Sequence, residues 1–142
     1  MTELVINRIF DAPRELVYRA FVDPDQLAQW FGPVGWSVPR DSVVVEPHPG
    51  GRHCYTMVND ADPSQTVTIE ATFTDVVPNE LLDGAAVAPD GTKMRLRLEF
   101  HDEGGKTRLV LRQGPFTEEL AEMTRTGWGS SFTKLDDLVA AR

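Results

Sequence analysis

The side chains whose types could hold a metal ion or exchange a proton near neutral pH are three histidines and one cysteine: His48, His53, Cys54 and His101. A zinc site needs three or four such ligands directed at one point. Successive strand residues face opposite sides, so His53 and Cys54 cannot reach the same ion. His48 lies in a Pro-His-Pro turn and His101 ends a distant strand. The spacing therefore predicts no metal site.

Motifs for covalent or cofactor chemistry are missing from the sequence. There is no Gly-x-Ser-x-Gly, no Gly-x-x-x-x-Gly-Lys and no Gly-x-Gly-x-x-Gly, the minimum patterns of serine hydrolases, nucleotide-phosphate loops and dinucleotide sites. Gly50-Gly51 and Gly104-Gly105 predict turns. A lone cysteine without a known basic neighbour is more often inert than reactive, so Cys54 is not assigned as a nucleophile. We expect no cofactor.

Charge and length restrict the partners. Fourteen Lys and Arg against twenty-two Asp and Glu give a net charge of −8, which repels nucleic acids and anionic membrane surfaces, so neither is expected as a partner. No apolar run reaches the roughly 20 residues of a transmembrane helix.

The 142 residues predict one domain over 1–142. A single cysteine, and a start without a basic segment and apolar core, predict a cytoplasmic protein.

The N-terminal part of the chain predicts one strand and two short helices. Residues 3–10 are rich in β-branched and aromatic types and stop at Asp11-Ala-Pro13. The next segment has one apolar stripe at helical spacing, formed by Leu16, Val17, Ala20 and Phe21. Asp23 is expected to cap a second helix that has Pro24 at its first position and ends before Gly32-Pro33.

Six strands are predicted between Trp36 and Phe116, separated by turn clusters that include Pro89-Asp90-Gly91. The clearest covers 93–100, where apolar and charged residues alternate as on a strand with one buried face. Short loops between strands indicate antiparallel neighbours. After Thr117, a plausible cap, apolar residues at helical spacing continue for over five turns, which predicts a long helix that packs on the sheet.

Four arginines form a basic band on the predicted sheet: Arg95, Arg97, Arg108 and Arg112. Alternation places them opposite the apolar positions, on the outer face or an edge. Pairing with surface carboxylates is the simpler interpretation, and an acidic partner protein is the alternative.

Four motifs carry a resemblance to a known family: Phe10-Asp-Ala-Pro-Arg-Glu-Leu-Val-Tyr-Arg-Ala-Phe21, Asp23-Pro-Asp-Gln-Leu-Ala-Gln-Trp-Phe-Gly32, Pro49-Gly-Gly51 and Gly127-Trp128. With this order of elements, the chain resembles the activator-of-heat-shock-protein-ATPase-homologue group of the START-like (SRPBCC) superfamily. The resemblance implies an α+β helix-grip fold, in which a curved seven-stranded antiparallel sheet surrounds a long C-terminal helix and two short helices follow strand one.

The resemblance also implies a cavity between the sheet and the last helix. His53, Tyr55 and Met57 occupy alternate positions that face this cavity in the family, and similar sequences tend to have Trp or Phe at the position of His53. Gly127 and Ser131, one helical turn apart, leave room opposite the sheet. The expected ligand-binding residues are Trp30, Phe31, Trp36, His53, Tyr55, Met57, Phe73, Met94, Leu96, Met123, Gly127 and Ser131.

Three functions follow as hypotheses, because this superfamily carries many activities on one fold. The leading one is binding of a small apolar or aromatic molecule, with polar contacts from His53 and Tyr55. The second is cyclase-type or isomerase-type catalysis, with His53 as the candidate catalytic residue for proton transfer. The third is a module that regulates a chaperone ATPase through its outer sheet face. A homodimer through a strand edge or helix face stays open.

Overall fold

One antiparallel sheet organises the protein, and the computed structural model describes residues 2–87 and 91–140. In the described ranges the sheet has eight strands: β1 (Thr2–Phe10), β2 (Trp36–Ser37), β3 (Val44–Val45), β4 (Arg52–Asn59), β5 (Thr66–Val77), β6 (Leu81–Val87), β7 (Lys93–Glu103) and β8 (Lys106–Phe116). Their order across the sheet is β1-β8-β7-β6-β5-β4-β2, and β3 also pairs with β4.

Three α-helices cover the concave side of this sheet: α1 (Arg14–Val22), α2 (Pro24–Trp30) and α3 (Glu118–Ala140). This arrangement confirms the predicted helix-grip architecture. The strand predicted to begin at Trp36 is divided into β2 and β3 by a 3-10 turn at Arg40–Ser42, which follows Pro39, a residue without a backbone N–H for strand pairing. Pro89 and Asp90 of the predicted turn lie outside the described residues.

The predicted helix starts are confirmed by their capping bonds. The Asp23 carboxylate accepts hydrogen bonds from the backbone N–H of Asp25, at 3.0 Å, and from Nε2 of Gln26, at 3.1 Å. At the start of α3 the Thr117 hydroxyl accepts from the backbone N–H of Leu120 at 3.2 Å. Each cap satisfies a donor that the first helical turn leaves unpaired, a contribution of roughly 1 kcal/mol.

The well-packed core lies where the helices meet β1, β8 and the C-terminal half of β7. Backbone contacts join α3 to β1 and β8, and the inward side chains of these strands are buried beneath the helices. Buried members include Leu4, Phe10, Leu98, Phe100, Leu109, Leu111, Phe21, Trp30, Phe132 and Leu135. Burying each of these aliphatic or aromatic side chains contributes roughly 1.5–3 kcal/mol.

Gly50 and Gly51 form the tight entry into β4. Gly50 has a φ of +84°, in the left-handed region. A Cβ on Gly51 would lie 2.0 Å from the backbone oxygen of Glu46. The N–H of Gly50 donates to the Phe73 carbonyl, and the N–H of Phe73 donates to the Gly51 carbonyl, each at 2.9 Å. The glycine pair therefore lets the chain turn closely against both Glu46 and β5.

We expect Gly51→Ala to lower the free energy of unfolding by about 3 kcal/mol, because the new methyl group meets backbone that cannot move without disturbing β4. Gly50→Ala should cost only about 1–2 kcal/mol, the usual penalty of a left-handed L-residue. Urea denaturation of both variants measures the difference. Equal stability of the two variants would show that the close approach at Gly51 does not constrain the fold.

Candidate functional site

The concave face of the sheet is packed at one side and partly open at the other. At the inward positions of β4, β5, β6 and the start of β7, most side chains are only half-buried, in contrast to those beneath α3. We call this region the cleft. Its half-buried members are His53, Tyr55, Met57, Ile69, Ala71, Gly84, Ala86, Met94 and Leu96.

Helix α3 forms the opposite wall of the cleft and shows where it opens. Leu120, Met123, Gly127 and Ser131 follow one another at spacings of three or four and lie on one face. Leu120 is 45% exposed and Met123 is 64% exposed, whereas Ser131 is 4% exposed. Exposure is high at Leu120 and Met123 and low at Ser131, so the cleft is closed near Ser131 and opens toward the N-terminal end of α3.

The closed end of the cleft is an aromatic cluster organised by Phe31, which follows α2. Its ring lies 5.5 Å from that of Trp128 on α3 and 4.7 Å from that of Tyr55 on β4, measured between ring centroids. His53 lies 5.6 Å from both Tyr55 and Phe73. These edge-to-face contacts are favourable aromatic geometry. The cluster holds the His53 and Tyr55 rings in fixed positions.

His53 and Tyr55 bring polar atoms into this apolar surface. Within residues 2–87 and 91–140, neither ring nitrogen of His53 has a hydrogen-bond partner. The Tyr55 hydroxyl has none among these residues either. In the same residues every fully buried side-chain nitrogen or oxygen has a partner. The His53 and Tyr55 atoms therefore keep accessible surface, and that surface faces the cleft.

Both groups are uncharged near neutral pH. Burial lowers the pKa of His53 from 6.5 to about 4, because the surroundings disfavour the imidazolium form. Burial also raises the pKa of Tyr55 well above its ordinary value. At pH 7 His53 therefore offers one hydrogen-bond donor and one acceptor, and Tyr55 offers a phenolic hydroxyl.

Strand alternation keeps charged side chains out of the cleft. The paired inward positions of β5, β6 and β7 carry Ala71, Ala86 and Met94, while Arg95 and Arg97 face outward. On α3 the cleft positions are Gly127 and Ser131, and the Ser131 hydroxyl donates to the Gly127 carbonyl at 3.1 Å. The described cleft is thus apolar and uncharged, with hydrogen-bonding groups at its aromatic end.

The structure brings most of the predicted site residues together. Phe31, His53, Tyr55 and Phe73 form the aromatic end with Trp128, and Met57, Met94, Leu96, Gly127 and Ser131 lie along the cleft.

Three predicted residues lie in the core or at the ends of the cleft. Trp30 is fully buried in the core, where its indole N–H donates to the Ala20 carbonyl at 2.8 Å. Trp36 pairs with Asn59 at the far end of β4, and Met123 is at the exposed rim.

The residues that the sequence analysis missed are small or adjacent to recognised positions. Trp128 belongs to the Gly127-Trp128 motif and to the apolar stripe of the last helix but is not among the expected ligand-binding residues, and neither are Ala71 and Ala86. The signal that could have found the alanines is strand register, because Ala71 pairs with both His53 and Ala86.

Two further findings concern the described part of the chain. In residues 2–87 and 91–140, no three His, Cys, Asp or Glu side chains are grouped so that they could hold a metal ion. Among the helices formed by those residues, none is both long and apolar enough to cross a membrane.

Comparison with known proteins agrees with this fold. The family model described as "Activator of Hsp90 ATPase homolog 1-like protein" matches residues 11–140. A solved protein from Chromobacterium violaceum is 24% identical, with 96% of each chain covered and a TM-score of 0.86. The AHSA1 protein from Silicibacter pomeroyi is 25% identical, with 99% of each chain covered and a TM-score of 0.82. No curated protein matches the chain.

We expect the stability of the protein to depend on His53 as pH falls. The unfolded chain binds a proton at His53 near pH 6.5 and the folded chain only near pH 4. The contribution is therefore complete above pH 6.5 and is lost as pH falls to about 4, with a loss of up to about 3 kcal/mol. Urea denaturation of the wild type and His53→Phe across this range measures it, and parallel curves for the two proteins would contradict it.

Proposed function

This chain belongs to the family described as "Activator of Hsp90 ATPase homolog 1-like protein", and we propose that its cleft binds a small, uncharged, apolar or aromatic molecule. The single observation that carries the proposal is the pair of accessible polar groups, on His53 and Tyr55, that have no described hydrogen-bond partner inside an otherwise apolar cleft. A ligand group such as a hydroxyl or carbonyl would pair with them.

The energetics of polar burial support this proposal. A polar group withdrawn from bulk water costs free energy unless it is hydrogen-bonded. Ligand sites typically combine an apolar lining with a few polar groups that orient the bound molecule. His53 and Tyr55 lie on one strand two residues apart, and their ring centroids are 5.6 Å apart. Two polar side chains this close can contact a single ligand.

Gly127 gives independent support from the opposite wall. A glycine inside a helix costs about 1 kcal/mol relative to alanine. A Cβ on Gly127 would meet nothing within 4 Å, so no protein atom there requires a glycine. The space over Gly127 is free of protein atoms within 4 Å, so a molecule bound in the cleft would be able to contact helix backbone there.

An uncharged ligand fits the electrostatics better than an ion. A charged group in the cleft would lose hydration and find no opposite charge on the inward strand positions. The lowered pKa of His53 also makes the imidazole a weak base at neutral pH, which favours a hydrogen-bonding role over proton transfer.

The family description raises a second role, activation of a chaperone ATPase. Such a role would be exerted through an outer surface, so it predicts that stimulation of an Hsp90-type ATPase is insensitive to substitutions inside the cleft. If the cleft binds a small molecule, substitutions inside the cleft should weaken that binding. The variants below therefore separate the two roles.

We expect Gly127→Leu to weaken binding of 2-naphthol, an uncharged aromatic alcohol, at least about tenfold, because the leucine side chain fills the space over the helix. Gly129→Leu is the matched control: it lies on the same helix, and a Cβ there also meets nothing within 4 Å, but Gly129 is exposed outside the cleft. Isothermal titration calorimetry measures both. Equal loss in the two variants, or no binding by the wild type, would refute the cleft as the site.

Tyr55→Phe and His53→Phe should each weaken 2-naphthol binding about fivefold, the usual loss for one neutral hydrogen bond. Binding of naphthalene, which lacks the hydroxyl, should change little in either variant. If naphthalene and 2-naphthol respond alike to both substitutions, His53 and Tyr55 act only as packing surface.

A further inference from the structure

The outer face of the sheet carries a second concave feature, on the side opposite the cleft and with different chemistry. It is a hollow of about 330 Å³ whose lining includes Thr2, Glu3, Arg95, Arg97, Arg112 and Gly114. We call it the arginine hollow. Gly114 pairs with Arg95 across β7 and β8, and because glycine has no side chain, backbone forms the floor beside the arginine.

Three guanidinium groups surround this floor on two neighbouring strands. Arg97 and Arg112 are directly opposite each other, and Arg95 lies two residues along β7 on the same face. Like charges placed opposite each other on paired strands repel. Asp83 and Glu99 pair with Arg95 and Arg97 and relieve this repulsion there, whereas Arg112 has only the exposed Glu3 at 3.3 Å.

A buried carboxylate holds two of the arginines in place. The Asp83 side chain is only 3% exposed, and it accepts hydrogen bonds from Nε of Arg95 and Nη1 of Arg97, each at 3.0 Å. Burial alone would raise the pKa of Asp83, but the bonds from Arg95 and Arg97 outweigh it and lower the pKa. Asp83 thus stays ionised and fixes both guanidinium groups before any ligand arrives.

Several donors of the arginine hollow stay uncommitted. Within residues 2–87 and 91–140, Nη1 of Arg95, Nη2 of Arg97, and Nε and Nη2 of Arg112 have no hydrogen-bond partner. Glu3 supplies one carboxylate at the edge, 3.3 Å from Nη1 of Arg112, with its side chain 57% exposed. That long, exposed ion pair is weak. It shows that Arg112 can donate to a carboxylate at this edge of the hollow.

We propose that the arginine hollow binds a carboxylate side chain of an acidic segment in a partner polypeptide, which replaces Glu3 on Arg112. Planar guanidinium groups match planar carboxylates in two-point hydrogen bonds. Asp83 and Glu99 compensate Arg95 and Arg97, so recognition rests on the uncommitted guanidinium donors, above all those of Arg112, whose carboxylate partner in the lining is the exposed Glu3. The volume of the hollow is sufficient for an acidic side chain.

The test uses an acetylated tetraglutamate peptide and its tetraglutamine counterpart, titrated into the folded chain and followed by two-dimensional NMR. We expect only the glutamate peptide to shift the resonances of β7 and β8, with an affinity that weakens as salt is added. Arg112→Gln should weaken binding about fivefold. Glu3→Gln should strengthen it severalfold, because the competing carboxylate is removed.

Two controls make the result specific. Arg108 lies on the same face of β8 and is ion-paired with Glu103 at 2.7 Å, so Arg108→Gln should leave peptide binding unchanged. Gly127→Leu should also leave it unchanged, which separates this hollow from the cleft. The proposal is overturned if both peptides bind equally, if Glu3→Gln has no effect, or if inorganic phosphate at matched ionic strength binds and the glutamate peptide does not.

Discussion

The architecture depends on one constraint: α3 lies across only part of the concave face of the sheet. Its C-terminal half is held there by Arg8, whose guanidinium donates two hydrogen bonds to Asp136, at 2.8 and 2.6 Å, and lies 4.7 Å from the centroid of the Phe10 ring. Trp128 adds a hydrogen bond from its indole N–H to Gln113, at 2.9 Å. These contacts close the core on one side of the sheet and leave the other side to the cleft.

The division between packed core and open cleft follows from which side chains are large enough to bridge the space between α3 and the sheet. Phe31 alone among the cleft residues contacts aromatic rings on both α3 and β4, so it sets the spacing between helix and sheet at the closed end. Beyond it the inward positions carry small or flexible side chains, such as Ala71, Ala86 and Met94. Small side chains on a concave surface leave volume that the helix does not fill.

Much of this fold could be predicted from the sequence because its signals are local. The alternation of 93–100 fixes which residues of β7 face inward, and the Asp23 and Thr117 caps mark the helix starts. The resemblance carried by the Phe10–Phe21 and Gly50-Gly51 segments supplied the order of the layers, which periodicity alone does not determine.

The parts that could not be predicted depend on distance rather than on pattern. Apolar spacing placed Met123 and Ser131 on one face of α3, but it does not tell how far the helix stands from the sheet, so the exposed Met123 and the buried Ser131 have the same signature. Trp30 and Phe31 are adjacent aromatic residues and both are buried, yet only Phe31 contacts the aromatic rings on β4. Whether the polar groups of His53 and Tyr55 have hydrogen-bond partners depends on the positions of all neighbouring residues, which the sequence pattern does not give.

The alternation of β7 has a consequence for how such a protein changes over evolution. Leu96 faces the cleft, and its chain neighbours Arg95 and Arg97 face the opposite side of the sheet. A substitution at one of these positions alters one surface and leaves the other intact. A single strand thus carries two proposed recognition surfaces that selection can modify separately, so descendants of this chain can change the residues of one surface while inheriting the other unchanged.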